Sequence, residues 1–346
     1  MTDTVVIAGR RSGVDVAGAM GVLSRGSRLP PERMALLVKV ARMYHEQGLR
    51  QPEIAERLHI SQSRASRLLK EAVALGIVRT IVVPPPGVYP ELEDAVRDRY
   101  GLSDMVVADA GGADDNSLIA ALGAAGAAYL ETTLSASDHV GISSWSATLI
   151  AAVEAMTPRP ARSAAKIVQL LGGVGAPQVQ VQATRLTERF AAATGAEPVF
   201  FPAPGIVASD AARDAILSDP YIASVADEWN HLTVALVGIG TLSPSPLLAV
   251  SGNAVPDEIV SRLRDLGAVG DVCLRYFDAD GEYVASELGE RVLGMTASAL
   301  RAVPRRVGIA GGERKHEAIR AALRGKWVDV LITDHATAER LAADEA

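Results

Sequence analysis

LRQPEIAERLHISQSRASRLLK, residues Leu49 to Lys70, reads as two short helices joined by a tight turn. Gln51-Pro52-Glu53 opens the first helix, with the proline where a missing N–H costs nothing. Ile54, Ala55 and Leu58 recur at helical spacing, and Ala55 is small enough to let a second helix cross closely. His59-Ile60-Ser61 makes the turn. Ser61 then caps the second helix by accepting from an unpaired N–H of its first turn. Ala65, Leu68 and Leu69 fall inward, leaving Gln62, Ser63, Arg64, Arg67 and Lys70 outward. Short polar side chains followed by guanidinium and ammonium groups suit base edges and phosphates. The candidate DNA-contacting set is therefore Gln51, Ser61, Gln62, Ser63, Arg64, Arg67 and Lys70.

An ordinary helical hairpin with a solvated charged face satisfies the same pattern, but three neighbouring features favour DNA. Leu36, Leu37, Val40, Ala41 and Tyr44 mark a preceding amphipathic helix that completes a three-helix core. Leu75-Gly76 is a helix stop, and Ile77 to Val83 (IVRTIVV) alternates as the β-hairpin wing of a winged helix would. The charge is also segregated. Arg25 to Val83 holds 11 Lys/Arg against 5 Asp/Glu, a balance of +6, whereas the whole chain is −7. A basic small module on an acidic large one is the electrostatic footprint of a phosphate-binding head.

The 346 residues have room for about two domains. One cysteine, Cys273, excludes an intrachain disulfide framework and a multi-cysteine zinc site, and it fits a reducing, cytoplasmic setting. No long uninterrupted apolar run suggests a membrane span; Leu232 to Val250 is broken by glycines and two prolines. Residues 1–28 read as a flexible leader, 29–83 as the winged helix-turn-helix domain, and 84–100 as a linker with a linker helix. Residues 101–346 form the effector domain. The linker opens with Pro84-Pro85-Pro86-Gly87, which is stiff and extended.

From Ser103 onward, apolar runs of strand length alternate with helical segments, the pattern of a parallel α/β sheet. The strands are expected at Met105–Ala108, His139–Ile142, Lys166–Leu171, Pro198–Phe201, Leu232–Val237, Arg306–Ala310 and Val328–Thr333. Val272 to Val284 looks like a β-hairpin turning at Asp280-Gly281. The expected fold is thus α/β: an N-terminal three-helix winged helix-turn-helix, then a Rossmann-like parallel-sheet domain.

Several strands end in small Gly- or Ser-rich loops that feed helices. In an open α/β sheet these loops gather at the carboxyl edge, where ligands bind and helix N-termini favour phosphate. Ser143 to Thr148 adds hydroxyl donors, and Lys315 a fixed charge. Gly172, Gly173, Gly238 and Gly240 lie in equivalent loops, although glycine at such junctions is also routine punctuation. Neither the phosphate loop of nucleotide hydrolases nor the dinucleotide fingerprint is present, so no nucleotide cofactor is expected. The six histidines show no metal spacing; His316 and His335 read as solvated helix residues and Cys273 as core in an apolar strand. Asp271, at the entrance to that strand, could accept sugar hydroxyls or serve only as a turn carboxylate. No catalytic residue stands out.

The chain resembles the SorC family of bacterial sugar-binding transcriptional regulators from about Arg33 to Leu341. The resemblance is carried by LLVKVARMYHEQGLRQPEIAERLHISQSRASRLLKEAVALGIV, GISSWSATL, IVQLLGGVG, LVGIGTL, GAVGDVCLRYFDADG, VGIAGGERKHEAIRAAL and VDVLITDHATAERL. It implies a DNA-binding head, and a body related to sugar-phosphate isomerases and deaminases that responds to phosphorylated sugars or polyols. It further implies assembly as a homo-oligomer, a tetramer or dimer, acting on operator DNA. By that resemblance the phosphate-cradling loop is Ser143, Ser144, Trp145, Ser146 and Thr148. Gln182 reaches the ligand from the next helix, Asp271 accepts a hydroxyl, and Lys315 is a basic contact. Two departures stand out: GISSWSATL looks one residue longer than the commoner loop, and Ala147 replaces a polar or basic residue. An enzyme of the isomerase or deaminase kind with a DNA-binding head is the rival reading; it needs a base beside the phosphate loop, and none is identifiable.

Overall fold

The computed structural model describes residues 29–79, 83–111, 114–143, 146–158, 161–173, 177–243 and 255–344, without the side chains of 177–183. The chain forms two compact units that divide between Pro84 and Pro85. The leader expected at 1–28 lies outside the described residues.

The first unit is three helices, α1 (Pro31–His45), α2 (Gln51–Arg57) and α3 (Gln62–Ala74). Leu37, Val40, Ile54, Ala65 and Ala72 are wholly buried at its centre, with Leu68 and Leu69 beside them. The α2–α3 turn closes because His59 takes a left-handed φ of 52°, which lets Ile60 N–H reach back to the Ala55 carbonyl at 2.9 Å. Across the unit Arg33 grips Glu71 with two hydrogen bonds, 3.0 and 2.8 Å long, tying α1 to α3. The expected wing is not built as a strand at Ile77–Arg79 or Val83; Thr80–Val82 lie outside the described residues. At Ile77 and Val78 the helix end itself takes up the amides. After Gly76, at φ 68°, the amides of Ile77 and Val78 both donate to Ala72 O, at 2.9 and 3.2 Å. A residue closing a helix has no N–H left for a ladder.

The second unit begins with α4 (Pro90–Tyr100), the segment expected as a linker helix. It belongs to the body instead. Val96 and Tyr100 are buried in the body's main core, Glu93 Oε1 accepts Val107 N–H at 2.9 Å, and Tyr100 donates to Asp344 Oδ2 at 2.9 Å.

Seven parallel strands form the main sheet: β1 (Asp104–Ala108), β2 (His139–Ile142), β3 (Lys166–Gln169), β4 (Glu197–Val199), β5 (Val234–Val237), β9 (Arg305–Ile309) and β10 (Val330–Asp334). Their spatial order is β1-β10-β9-β5-β2-β3-β4. From β2 the chain winds outward through β3 and β4, then returns to the other side of β2 with β5 and winds outward through β9 and β10. This is a doubly wound sheet, with β1 added at one edge. Both faces are covered, as a parallel sheet requires. Val234 and Leu236 enter one apolar cluster with Leu122, Leu130 and Leu149; Ala235 and Val237 enter the other with Trp327 and Leu331.

A small antiparallel sheet, β6 (Gly240–Thr241), β7 (Gly270–Val272) and β8 (Arg275–Phe277), stands apart from the main one. The chain turns twice here. The expected bend at Asp280-Gly281 exists, with Gly281 at φ 81° and Phe277 bridged to Tyr283. An unexpected tighter turn at Cys273-Leu274 precedes it and joins β7 to β8. Cys273 is therefore a buried turn residue, not part of a strand. His316 is also buried, not solvated, with Nε2 3.3 Å from Asp344 Oδ1; His335 is half-buried and packs on Tyr89 at 4.4 Å between ring centroids. No described helix is long and apolar enough to cross a membrane.

Candidate functional sites in the head and the body

On α3 the cap is as expected: Ser61 Oγ accepts Arg64 N–H at 3.3 Å. Gln62, Ser63, Arg64, Arg67 and Lys70 are all exposed beside the buried Ala65, Leu68 and Leu69. Arg67 Nε leans back on Ser63 O at 3.4 Å, and Ser61 and Ser63 hydroxyls lie 3.1 Å apart. Glu71, the one acid on this helix, is held by Arg33 and pushed to lower pKa by that contact. Gln51 is half-buried at the first position of α2. The resulting surface is a polar helix start followed by exposed cationic groups.

In the body, the strand order reverses between β2 and β5, so the loops leaving their carboxyl ends diverge and open a cleft. A cavity of about 190 Å³ lies there. Its polar lining comes from Ser143, Ser146 and Thr148 after β2, Gly238 to Ser243 after β5, Asp271 and Tyr276 from the small sheet, and Lys315 after β9. Thr148 donates to Ile309 O at 2.8 Å and lies 2.8 Å from Ser146 Oγ, whose own proton can therefore turn to Thr148. Ser146 caps α5 (Ala147–Ala155) without a side-chain cap bond. The first N–H groups of that helix have no intrahelical acceptor and carry its partial positive charge. Gly238 permits this approach, since a Cβ there would come within 2.8 Å of Ser146 Oγ.

Asp271 and Lys315 complete the polar end. Both are half-buried. Burial pushes the Asp271 carboxyl up to about 6, against the opposing pull of the Leu274 N–H and the Lys315 charge. Burial likewise lowers Lys315, and the Asp271 charge pulls it back up. Lys315 Nζ donates to Ile239 O at 2.7 Å, and Asp271 Oδ2 accepts Leu274 N–H at 2.9 Å. Among the described residues each charge has one backbone hydrogen-bond partner, and both side chains line the cleft.

The expected site residues are partly brought together. Ser143, Ser146, Thr148, Gly238, Gly240, Asp271 and Lys315 converge. Gly172 and Gly173 do not line the cleft: their N–H groups are spent on Leu293 O and Ala203 O, both at 2.9 Å, and a Cβ on Gly172 would overlap the Ala203 and Pro204 backbone. They serve chain packing. Ser144, Trp145 and the Gln182 side chain lie outside the described residues. Tyr276 went unnoticed in the sequence. It stands directly opposite Asp271 on β8, a relation hidden until the Cys273-Leu274 turn is known. No cluster of described residues could hold a metal ion.

Comparison with known proteins accounts for both units. The family described as "Putative sugar-binding domain" matches residues 88–343, and the "MarR family" matches residues 40–87. The chain is 31% identical over 313 residues to the deoxyribonucleoside regulator of Bacillus subtilis, covering 90% of this chain and 99% of that protein. It is 30% identical over 314 residues to the sorbitol operon regulator of Klebsiella pneumoniae, covering 88% and 97%. The crystal structure of full-length SorC from Klebsiella pneumoniae matches with a TM-score of 0.68 at 28% identity, covering 90% of this chain and 99% of that one. A helix-turn-helix joined to a sugar-binding α/β body, related over nearly its whole length to transcriptional regulators, places this chain in the SorC family of sugar-binding transcriptional regulators.

Proposed function

We propose that this regulator binds a phosphorylated sugar or polyol in the body cleft and that the ligand controls its hold on operator DNA. The observation that carries the reading is the presence of an ammonium, Lys315, and a carboxylate, Asp271, in one cleft with the start of a helix whose first N–H groups have no intrahelical acceptor and whose cap carries the Ser146 hydroxyl. An ammonium and a helix N-terminus together suit a phosphate dianion; a carboxylate suits vicinal hydroxyls. Ser143, Ser146, Thr148, Gly238, Gly240, Asp271 and Lys315 would contact the ligand, joined by Ser144, Trp145 and Gln182 on the strength of the family resemblance. Gln51, Ser61, Gln62, Ser63, Arg64, Arg67 and Lys70 would face DNA. The protein would act in the cytoplasm as a homo-oligomer, and the ligand would shift assemblies of different DNA affinity by its differential affinity for them.

Calorimetry with a panel of sugar phosphates and their dephosphorylated counterparts tests this. Lys315→Ala should cost the phosphorylated ligand about 1.5–3 kcal/mol and its counterpart far less. Equal losses for both would assign Lys315 to the fold and reject the phosphate reading. The ligand that binds should also change operator affinity in a mobility-shift titration.

A further inference from the structure

The segment from Gly311 to His316 meets both the cleft and the last helix of the chain, α6 (His335–Ala343). Gly311 and Lys315 line the cavity. Between them, Gly312 N–H donates to Asp334 Oδ1 at 2.7 Å and to Thr337 Oγ1 at 3.1 Å. Asp334 is the N-cap of α6, and its other oxygen accepts Thr337 N–H at 2.9 Å. A Cβ on Gly311 would overlap Asp334 Oδ1, so segment and cap are in close contact. At the far end of α6, Asp344 Oδ1 lies 3.3 Å from His316 Nε2. The segment therefore holds α6 at both ends.

The helix α4 holds α6 at both ends too. Tyr89, immediately before α4, packs on His335 with ring centroids 4.4 Å apart. Tyr100, the last residue of α4, donates to Asp344 Oδ2 at 2.9 Å. Asp344 thus meets the cleft segment with one carboxylate oxygen and α4 with the other. Ala338 and Leu341, wholly buried on α6, share one apolar cluster with Val96 and Tyr100. A nine-residue helix packed in this way shifts as a body, because close-packed side chains move between discrete arrangements and do not deform smoothly. A displacement of the cleft segment that keeps these bonds carries α6, and α6 carries both ends of α4. We propose that α6 is the lever that passes occupancy of the cleft to α4, the first helix of the body after the linker from the head. The proposal rests on the cleft being the effector site.

The test is amide hydrogen exchange on the full chain, with and without saturating inorganic phosphate at constant ionic strength. Phosphate should slow exchange in 311–316, in α6 and in the last turn of α4, each by about fivefold or more. The helix Asp210–Leu217, whose Ile216 and Leu217 pack on a separate apolar cluster, is the control and should not respond. In the Tyr100→Phe, His335→Ala double variant, phosphate should still slow 311–316, while the α4 response falls below about twofold. Residues that only pack would instead speed α4 exchange equally with and without phosphate and leave its response intact. An α4 response that persists in the double variant overturns the lever and leaves the effector site standing. So does a response confined to 311–316 in the unmodified protein, a result that needs no variant to fold. Equal slowing in Asp210–Leu217 would be global stabilisation and would also overturn it. No response in 311–316 would reject the phosphate site itself, and the lever with it.

Discussion

Gly240 and Asp271 stand directly opposite each other in the β6–β7 pair, and a Cβ on Gly240 would overlap Asp271 Oδ1. The carboxylate therefore lies over bare backbone, and the glycine is what admits it. Gly240→Ala should drive Asp271 out of place, lowering sugar-phosphate affinity at least about tenfold and costing about 1–3 kcal/mol of stability through overpacking. Calorimetry and urea unfolding read the two effects separately. A variant that binds normally would mean that the carboxylate can sit elsewhere without loss.

Asp271 itself should show a trade between stability and binding. Its folded-state pKa of about 6 lies above the ordinary 3.8, so the folded protein holds this proton more tightly than the unfolded chain does. The contribution to stability is full below about pH 4, is lost as pH rises to about 6, and stays lost above. Asp271→Asn removes that dependence and should be more stable than the unmodified protein at pH 7 by about 1–3 kcal/mol, with the difference vanishing near pH 4. It should also bind the ligand more weakly by about 1–2 kcal/mol, since a neutral acceptor replaces a charged one. Unfolding curves at pH 4, 5, 6 and 7 check the first part; a pH-independent difference would contradict it.

Arg275 anchors the other end of the turn. It is buried, and its guanidinium donates to Met295 O and Gly289 O at 2.8 Å and to Gly294 O at 3.1 Å. These carbonyls belong to the segment that bridges Leu171 through Gly294 and Ile206 through Val292. Arg275→Ala removes the guanidinium donor from the Met295 and Gly294 carbonyls and should cost about 3–5 kcal/mol. Arg275→Lys keeps the charge without the fork and should recover less than half of that loss. Full recovery by lysine in urea unfolding would show that charge, and not the shape of the guanidinium, holds this segment.

Elements with strong local signals were legible in the sequence. The Ser61 cap, the Gly76 stop and the short β-branched strands from His139 to Val237 required nothing beyond periodicity and cap chemistry. What escaped was set by distant partners. Gly172 and Gly173 carry the same local pattern as Gly238 and Gly240, yet only the latter pair faces the cleft, because Ala203 and Leu293 take up the former's amides. The Cys273-Leu274 turn contains no glycine or asparagine and is imposed by β7–β8 pairing and the Asp271 carboxylate. With that turn unseen, Tyr276 could not be placed opposite Asp271. The helix Pro90–Tyr100 read as a linker because its sequence is mostly charged, whereas Val96 and Tyr100 are buried in the body core with Leu92 packed beside them.

The head offers a prediction independent of the ligand. Arg64 is exposed on the first turn of α3, where its own amide is tied to Ser61 Oγ, and Arg67 follows one turn on with its Nε leaning on Ser63 O. A helix entering a major groove presents its N-terminal residues to base edges and later cations to phosphates. Arg64→Ala should therefore weaken specific operator binding by about 1–3 kcal/mol and relax preference at one base position, as expected for a lost guanine contact. Lys70→Ala should instead weaken specific and non-specific DNA alike and reduce the slope of log affinity against log salt by about one. Fluorescence anisotropy on operator and scrambled duplexes, across a salt series, separates the two behaviours. Unchanged operator affinity in the Arg64→Ala, Arg67→Ala double variant would reject α3 as the reading helix.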